Sequence, residues 1–422
     1  MVEVPTVGPL LVAYCRRVSH VERSLLALRA RRGRMLATRQ RGAVVMRFIP
    51  QHLGVVVLLA AVALACNTPT APTGDAQTES EQAAGGEQED LFAEVFAELE
   101  GLEGQERTDK LQELASEEGA LNVYTSNTDL AEFAEAFTDT YDIDVSVYRA
   151  PANTVLQRLL QEAEAGFAGA DLYDSNAEEL ATAHTEGLLR EYEGPASEGL
   201  VEVADQEGWV GSRLNVFTVS WNTDVIDEPP TSYQDLADER FSGQMMMEPR
   251  AFEWYMALSA YFTEEEGMSQ EEVDQMFSDM ASNSVLVEGN TTHAQFLGAG
   301  EYGLSTSVYN HLVDELTDSG APVTREPPVE PIVVRPNGIG LLNTAQNPAS
   351  AVLLFEWLLT EGQELLADEF RVPAREELQS EELADLNTID VDVDQLVEEG
   401  TDWEERYEEV LRGSQGTIEE EE

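Results

Sequence analysis

LNVYTSNTDLAEFAEAFTDTYDIDVSVYRAPANTVLQRLLQEAEAGFAGADLYDSN, residues 121–176, decides the fold class. Leu121-Asn122-Val123-Tyr124 predicts a short strand, and the small polar run Thr125-Ser126-Asn127-Thr128 behind it suits a helix N-cap. Leu130, Phe133, Ala134 and Phe137 then share one face of a helix predicted over 130–140. A strand at 144–148, a helix at 154–165, a strand at 170–173 and a helix at 177–186 complete a β-α-β-α-β-α series. Parallel strands need a crossover between them, so this alternation predicts a parallel sheet covered by helices.

Working outward, residues 91–114 have helical spacing broken at Gly101 and Gly104. Downstream, 214–221 (LNVFTVSW) predicts a long strand, and strands follow at 244–248, 285–287 and 302–306. Helices are predicted between them at 252–262, 269–280 and 294–298. An extended run over 332–343 and an amphipathic helix over 348–367 close the series. One α/β unit is thus interrupted by a second, with extended crossings near 212–222 and 328–343. The expectation is two lobes with a hinge and a ligand cleft between them. Lobe one is expected over 91–213 and lobe two over 214–330. Residues 331–415 are expected to return to lobe one and add C-terminal helices.

Charge bounds the partners. The 422 residues carry 82 acidic and 24 basic groups, and ten of the basic ones are arginines between Arg16 and Arg47. Beyond Cys66 only 14 basic groups face 80 acidic ones, a net of −66. Such a body repels phosphate backbones and anionic headgroups, which excludes nucleic acid as a partner. Only one lysine is present, Lys110. An acidic, lysine-poor surface is read as adaptation to high salt, where screening tames self-repulsion.

Residues 46–66 (MRFIPQHLGVVVLLAAVALAC) combine a basic start, an apolar run from Leu53 to Ala65 and a cysteine. The run is too short to span a bilayer and suits the apolar core of an export signal. Ala63-Leu64-Ala65-Cys66 resembles a bacterial lipobox, so residues 46–65 are expected to be a lipoprotein signal peptide and Cys66 the lipid anchor. The chain is then exported and faces the periplasm or the cell exterior, touching the membrane only through that lipid. The alternative is a soluble secreted protein cleaved near Ala65. Residues 1–45 read as a leader or a start codon assigned too early, 66–90 as a disordered tether, and 416–422 as an unstructured acidic tail.

No phosphate loop, dinucleotide turn, nucleophile elbow or zinc-protease helix is present, and beyond the anchor the histidines are only His184, His293 and His311. No enzyme is expected and no resident cofactor. Polar residues do gather at strand ends, where open α/β sheets bind solutes. They are Tyr124, Ser126, Asn127 and Thr128, then Ser175 and Asn176, then Asn290 and Thr291, then Tyr309. Arg250-Ala251-Phe252 opens a helix whose free N–H groups suit an anion, with Arg250 adding a fixed positive charge. Against this, Arg250 could simply pair with one of the many acids.

ASEEGALNVYTSN (115–127), GADLYDSN (169–176), GLSTSVYN (303–310), GAPV (320–323) and NPASAVLLFEWLLTEGQELL (347–366) resemble, in that order, the solute-binding proteins of ABC importers, in particular their ferric-iron-binding periplasmic branch. The resemblance implies a bilobed type II binding fold that closes on its solute and hands it to a permease driven by an ATPase. It further implies Fe(III) held by two adjacent tyrosines with a histidine and a glutamate, beside a small anion at a helix N-terminus. Aligned by motif, the tyrosine pair falls on Val308-Tyr309, the histidine on Thr128 and the glutamate on Asn176; Asn290 and the helix start at 250–252 match the anion region. One metal ligand of four is kept, Tyr309. Tyr124, Tyr173, Glu253 or His311 could substitute, the iron could arrive chelated, or the solute could be an organic or oxyanion such as a phosphonate or carboxylate. The expectation is a monomeric solute-binding lipoprotein carrying iron or a ferric chelate, with the anion as the alternative. A surface interaction protein and a secreted hydrolase are the rival classes.

Overall fold

The computed structural model describes residues 90–418. The leader, the signal peptide, Cys66, the tether up to residue 89 and the last four residues lie outside it. Asp90 caps the first helix, its carboxylate accepting from the Ala93 amide at 3.1 Å. That helix, α1 (Leu91–Leu99), is separated from α2 (Gly104–Ala115) at the two glycines, which take φ of 78° and 53°.

The opening series follows as β1 (Leu121–Thr125), α3 (Leu130–Tyr141), β2 (Val145–Arg149), α4 (Ala152–Glu164), β3 (Leu172–Asn176) and α5 (Ala177–Thr185). β1 lies between β2 and β3 and runs parallel to both, with Tyr124 opposite Tyr148 and Tyr173. After the short β4 (Leu189–Arg190) and β5 (Asp205–Gln206) comes β6 (Trp209–Asn222), 14 residues that are all buried. At about 3.3 Å per residue it runs roughly 46 Å. The second half consists of β7 (Met245–Met247), α6 (Phe252–Glu264), α7 (Gln270–Asn283), β8 (Ser284–Val287), α8 (Asn290–Ala299), β9 (Leu304–Tyr309), α9 (Asn310–Asp318) and β10 (Val323–Thr324). The chain returns through β11 (Ile332–Leu342), α10 (Pro348–Leu359), α11 (Glu361–Asp368) and β12 (Val372–Pro373). It ends with α12 (Glu381–Ala384), β13 (Thr388–Asp390), α13 (Val393–Leu411) and β14 (Thr417–Ile418).

The sheet order is β14-β8-β7-β9-β6-β11-β3-β1-β2. β6 and β11 run antiparallel at its centre; β6 continues onto β9 and β11 onto β3. The two long strands therefore belong to both halves, the arrangement of a two-lobed type II binding fold with two crossover strands. Their pairing slips between Asn337 and Gly338, where a side chain on Gly338 would meet the Val210 carbonyl at 2.2 Å.

Two aromatic-rich cores lie on either side of this seam. One gathers Leu111, Leu121, Phe137 and Phe355; the other gathers Trp254, Tyr255, Phe277 and Tyr407. α13 is shared, because Val393 packs among Tyr173, Ala177 and Leu180 while Leu396, Tyr407 and Val410 join the second core.

Four local expectations shift. β3 runs over 172–176 rather than 170–173, and β9 over 304–309 rather than 302–306. Their ladder partners, β11 and β6, come from far along the chain and extend both strands through Ser175-Asn176 and Val308-Tyr309. The helix expected over 348–367 breaks at Thr360 (φ −123°, ψ −97°), whose hydroxyl donates back to the Glu356 carbonyl at 2.6 Å. Part of the expected unstructured tail is ordered, since Thr417 and Ile418 pair with Leu286 and Val287. Among the described residues, no helix is long and apolar enough to cross a membrane.

Candidate functional site

A cavity of about 970 Å³ opens where β6 and β11 cross between the halves. Its walls come from the turn after β1, the end of β3, the start of α5, the crossover strands, the loops before α6 and α8, and α13. The volume lies at the upper end of the range typical of ligand sites.

Ten of the twelve expected solute contacts line it: Ser126, Asn127 and Thr128, Asn176, then Arg250, Ala251 and Phe252, then Asn290, Thr291 and Tyr309. Tyr124 and Ser175 do not. The Tyr124 hydroxyl donates to Glu162 at 3.0 Å and its ring lies under Arg158, 4.5 Å from the guanidinium carbon. Burial, with Glu162 assisting, pushes its phenol up to about 12. Ser175 is fully buried behind the wall, 3.3 Å from the Ser126 hydroxyl. Side chains alternate along a strand, so Asn176 faces the cavity and its neighbour does not.

The loop after β1 is set by its own polar groups. The Asn127 amide donates to Thr125 Oγ1 at 2.8 Å, and Asn127 Oδ1 accepts from the Asp129 amide at 3.1 Å. Across the seam, Asn176 Oδ1 accepts from Asn337 Nδ2 at 2.8 Å and from Arg335 at 3.2 Å.

Arg335 is the hub. Its buried guanidinium pairs with Glu253, donates to the Tyr309 hydroxyl at 2.9 Å and reaches Asn337 Oδ1 at 3.3 Å. It thereby ties β11 to both halves. Arg213 makes a second buried pair, a two-pronged contact with Asp174 at 2.9 and 3.1 Å. Arg371, itself largely buried, pairs with the partly exposed Asp129. None of these arginines was singled out from the sequence. A signal was present, because Arg213 and Arg335 stand in or beside long apolar crossover strands, where a charge needs a reason.

Tyr309 packs on Phe217 and His311, with ring centroids at 5.1 and 5.8 Å. Burial raises its phenol pKa, outweighing the opposing pull of Arg335, so the hydroxyl stays protonated. Val308, its neighbour in the motif, is buried on the opposite side of the strand among Met246, Val287 and Leu297. His311 is held neutral by burial and by Arg371 and Arg213 nearby. His293 lies outside the site: it bonds Ser305 Oγ and the Val287 carbonyl, both at 2.7 Å, and burial drives it down to about 4.

The helix start at Phe252 forms as expected, but its surroundings supply their own anions. Arg250 pairs with Glu288. Glu248 accepts from the Arg250 amide at 3.1 Å and from the Gly289 amide at 2.6 Å. Burial lifts Glu248 to about 7, Glu179 to about 7 and Glu178 to about 8. Among the described residues no group of three or more His, Cys, Asp or Glu is placed to hold a metal ion.

Two lobes joined by shared crossover strands, with a polar cavity at the crossing, are the architecture that solute-binding proteins use. Residues 132–389 match the model of the bacterial extracellular solute-binding protein family, and the chain belongs to that family. Members are exported binding proteins, and those of ABC importers work with a permease and an ATPase. Solved structures share the fold. Iron-bound HitA from Pseudomonas aeruginosa superposes with a TM-score of 0.58 at 18% identity, covering 68% of this chain and 99% of its own. AfuA from Actinobacillus pleuropneumoniae, with fructose-6-phosphate bound, gives 0.59 at 21%, covering 70% and 99%. The Atu4243–GABA receptor gives 0.57 at 17%, covering 69% and 98%. No curated protein matches the sequence.

Proposed function

We propose that this chain is the solute-capturing lipoprotein of an ABC importer, tethered through Cys66, and that it closes its lobes on a small organic anion. The observation that carries the reading is where the cations are. Of the 13 arginines beyond Cys66, six line this one cavity: Arg149, Arg213, Arg250, Arg335, Arg371 and Arg412. Seven glutamates line it as well, so the wall holds nearly one cation per anion where the body beyond Cys66 holds 14 basic groups to 80 acidic ones, and that relative enrichment of arginine favours an anion here over anywhere else on the protein. The ten strand-end and helix-start residues that line the cavity supply the uncharged contacts and the rim. The solute bridges both lobes and favours the closed form by its extra contacts there, and the permease reads that form.

Iron is the second reading, favoured by Tyr309 on the cavity wall. A bare ferric ion calls for hard anionic donors, and a protonated phenol already accepting from a guanidinium is a poor one. An anionic ferric chelate meets the arginines more readily. The test is differential scanning fluorimetry of the full chain with ferric citrate, carboxylates, phosphonates and sugar phosphates, alongside visible spectra. The proposal expects stabilisation by iron-free anions and no tyrosinate band. A visible band abolished by Tyr309→Phe, with no response to any iron-free anion, would overturn it.

A further inference from the structure

Charges of both signs line the cavity. Arg213 and Arg371 lie near His311, each already holding one carboxylate, Asp174 and Asp129, and Arg213 Nε is buried with no hydrogen-bond partner among the described residues. Glu178 is crowded by Glu179, Glu253 and Glu404. The cation nearest that crowd, Arg335, spends its hydrogen bonds on Glu253, Tyr309, Asn176 and Asn337. Glu179 is only 9% exposed, lines the cavity, and keeps its Oε2 without a partner among the described residues. A buried carboxylate and a buried guanidinium each retain an unused valence on the same cavity, and unmade hydrogen bonds of buried charged groups are costly. One ligand with opposite charges at its two ends satisfies both.

We propose that the solute is a zwitterion, its anionic group held at Arg213 and Arg371 and its protonated amine held by Glu178 and Glu179. This rests on the reading of the cavity as an anion-binding solute site and narrows it to amino-carboxylates or amino-phosphonates. An ammonium between the two glutamates replaces their mutual repulsion with two charge-assisted hydrogen bonds. A dianion of the same length leaves its second charge against the acidic wall, and a diamine leaves one against the arginines.

The test is calorimetric titration of the full chain with matched probes: 4-aminobutyrate, succinate and putrescine, then 2-aminoethylphosphonate against ethylphosphonate. The expected result is that at least one amine-bearing anion binds ten-fold or more tighter than its amine-free partner and than putrescine. Glu178→Gln with Glu179→Gln should collapse that preference. The probe series works on the unaltered chain, so poor folding of the double variant leaves the test intact. Equal binding of ethylphosphonate and its amino form, or of succinate and 4-aminobutyrate, overturns the zwitterion and spares the anion reading. Putrescine as the tightest probe overturns both. Silence from both amine-bearing probes counts against the zwitterion.

Discussion

Replacing Arg335 by methionine tests the hub of the cleft. The guanidinium is 5% exposed, and its loss strands the Glu253 carboxylate, 9% exposed, without its cation. Removing one partner of a buried pair costs about 3–5 kcal/mol, and each hydrogen bond lost at Tyr309 and Asn176 is worth about 1 kcal/mol. These losses belong to one network and overlap rather than add, so the net expectation is about 3–5 kcal/mol. The companion Glu253→Gln/Arg335→Met removes both charges and should cost about 2 kcal/mol less than the sum of the single changes. The assay is urea unfolding at constant high salt, followed by tryptophan fluorescence. A single-variant cost below about 1 kcal/mol, or simple additivity in the double variant, would refute the assignment of Arg335 as the group that neutralises Glu253.

Gly338→Ala should destabilise by about 1–3 kcal/mol, because its methyl lands on the Val210 carbonyl and the Trp209 ring; thermal unfolding checks this. The three raised glutamates bind protons in the folded state that the unfolded chain releases near pH 4.5. Their contribution is full below that pH and is lost as pH rises to about 7 for Glu179 and Glu248 and about 8 for Glu178. Below about 6.5, buried His293 opposes them, because the unfolded imidazole gains a proton that the folded one refuses. Stability should therefore fall from pH 6.5 to 8, and Glu178→Gln with Glu179→Gln should flatten that slope in denaturant titrations at each pH. Melting temperature should climb between 0.1 and 2 M NaCl, since a body of net −66 repels itself at low ionic strength; an unchanged midpoint would remove the high-salt reading.

Periodicity and strand-to-helix alternation carried the fold. Leu130, Phe133, Ala134 and Phe137 are all buried on one face of α3, and LNVFTVSW forms part of a crossover strand. Those signals are local: helix faces repeat within four residues, and continuously apolar strands report burial on both sides. Strand-end polar residues were legible for the same reason, since turn chemistry depends on the next two or three positions. What tertiary structure alone decided is which charges meet. Arg335 and Glu253 are 82 residues apart, Arg213 and Asp174 39, and Arg371 and Asp129 242. With 80 acids available to 13 arginines, no spacing rule selects a partner. The register of β6 against β11 makes that selection, because a one-residue slip would turn Arg213 and Arg335 away from the cleft.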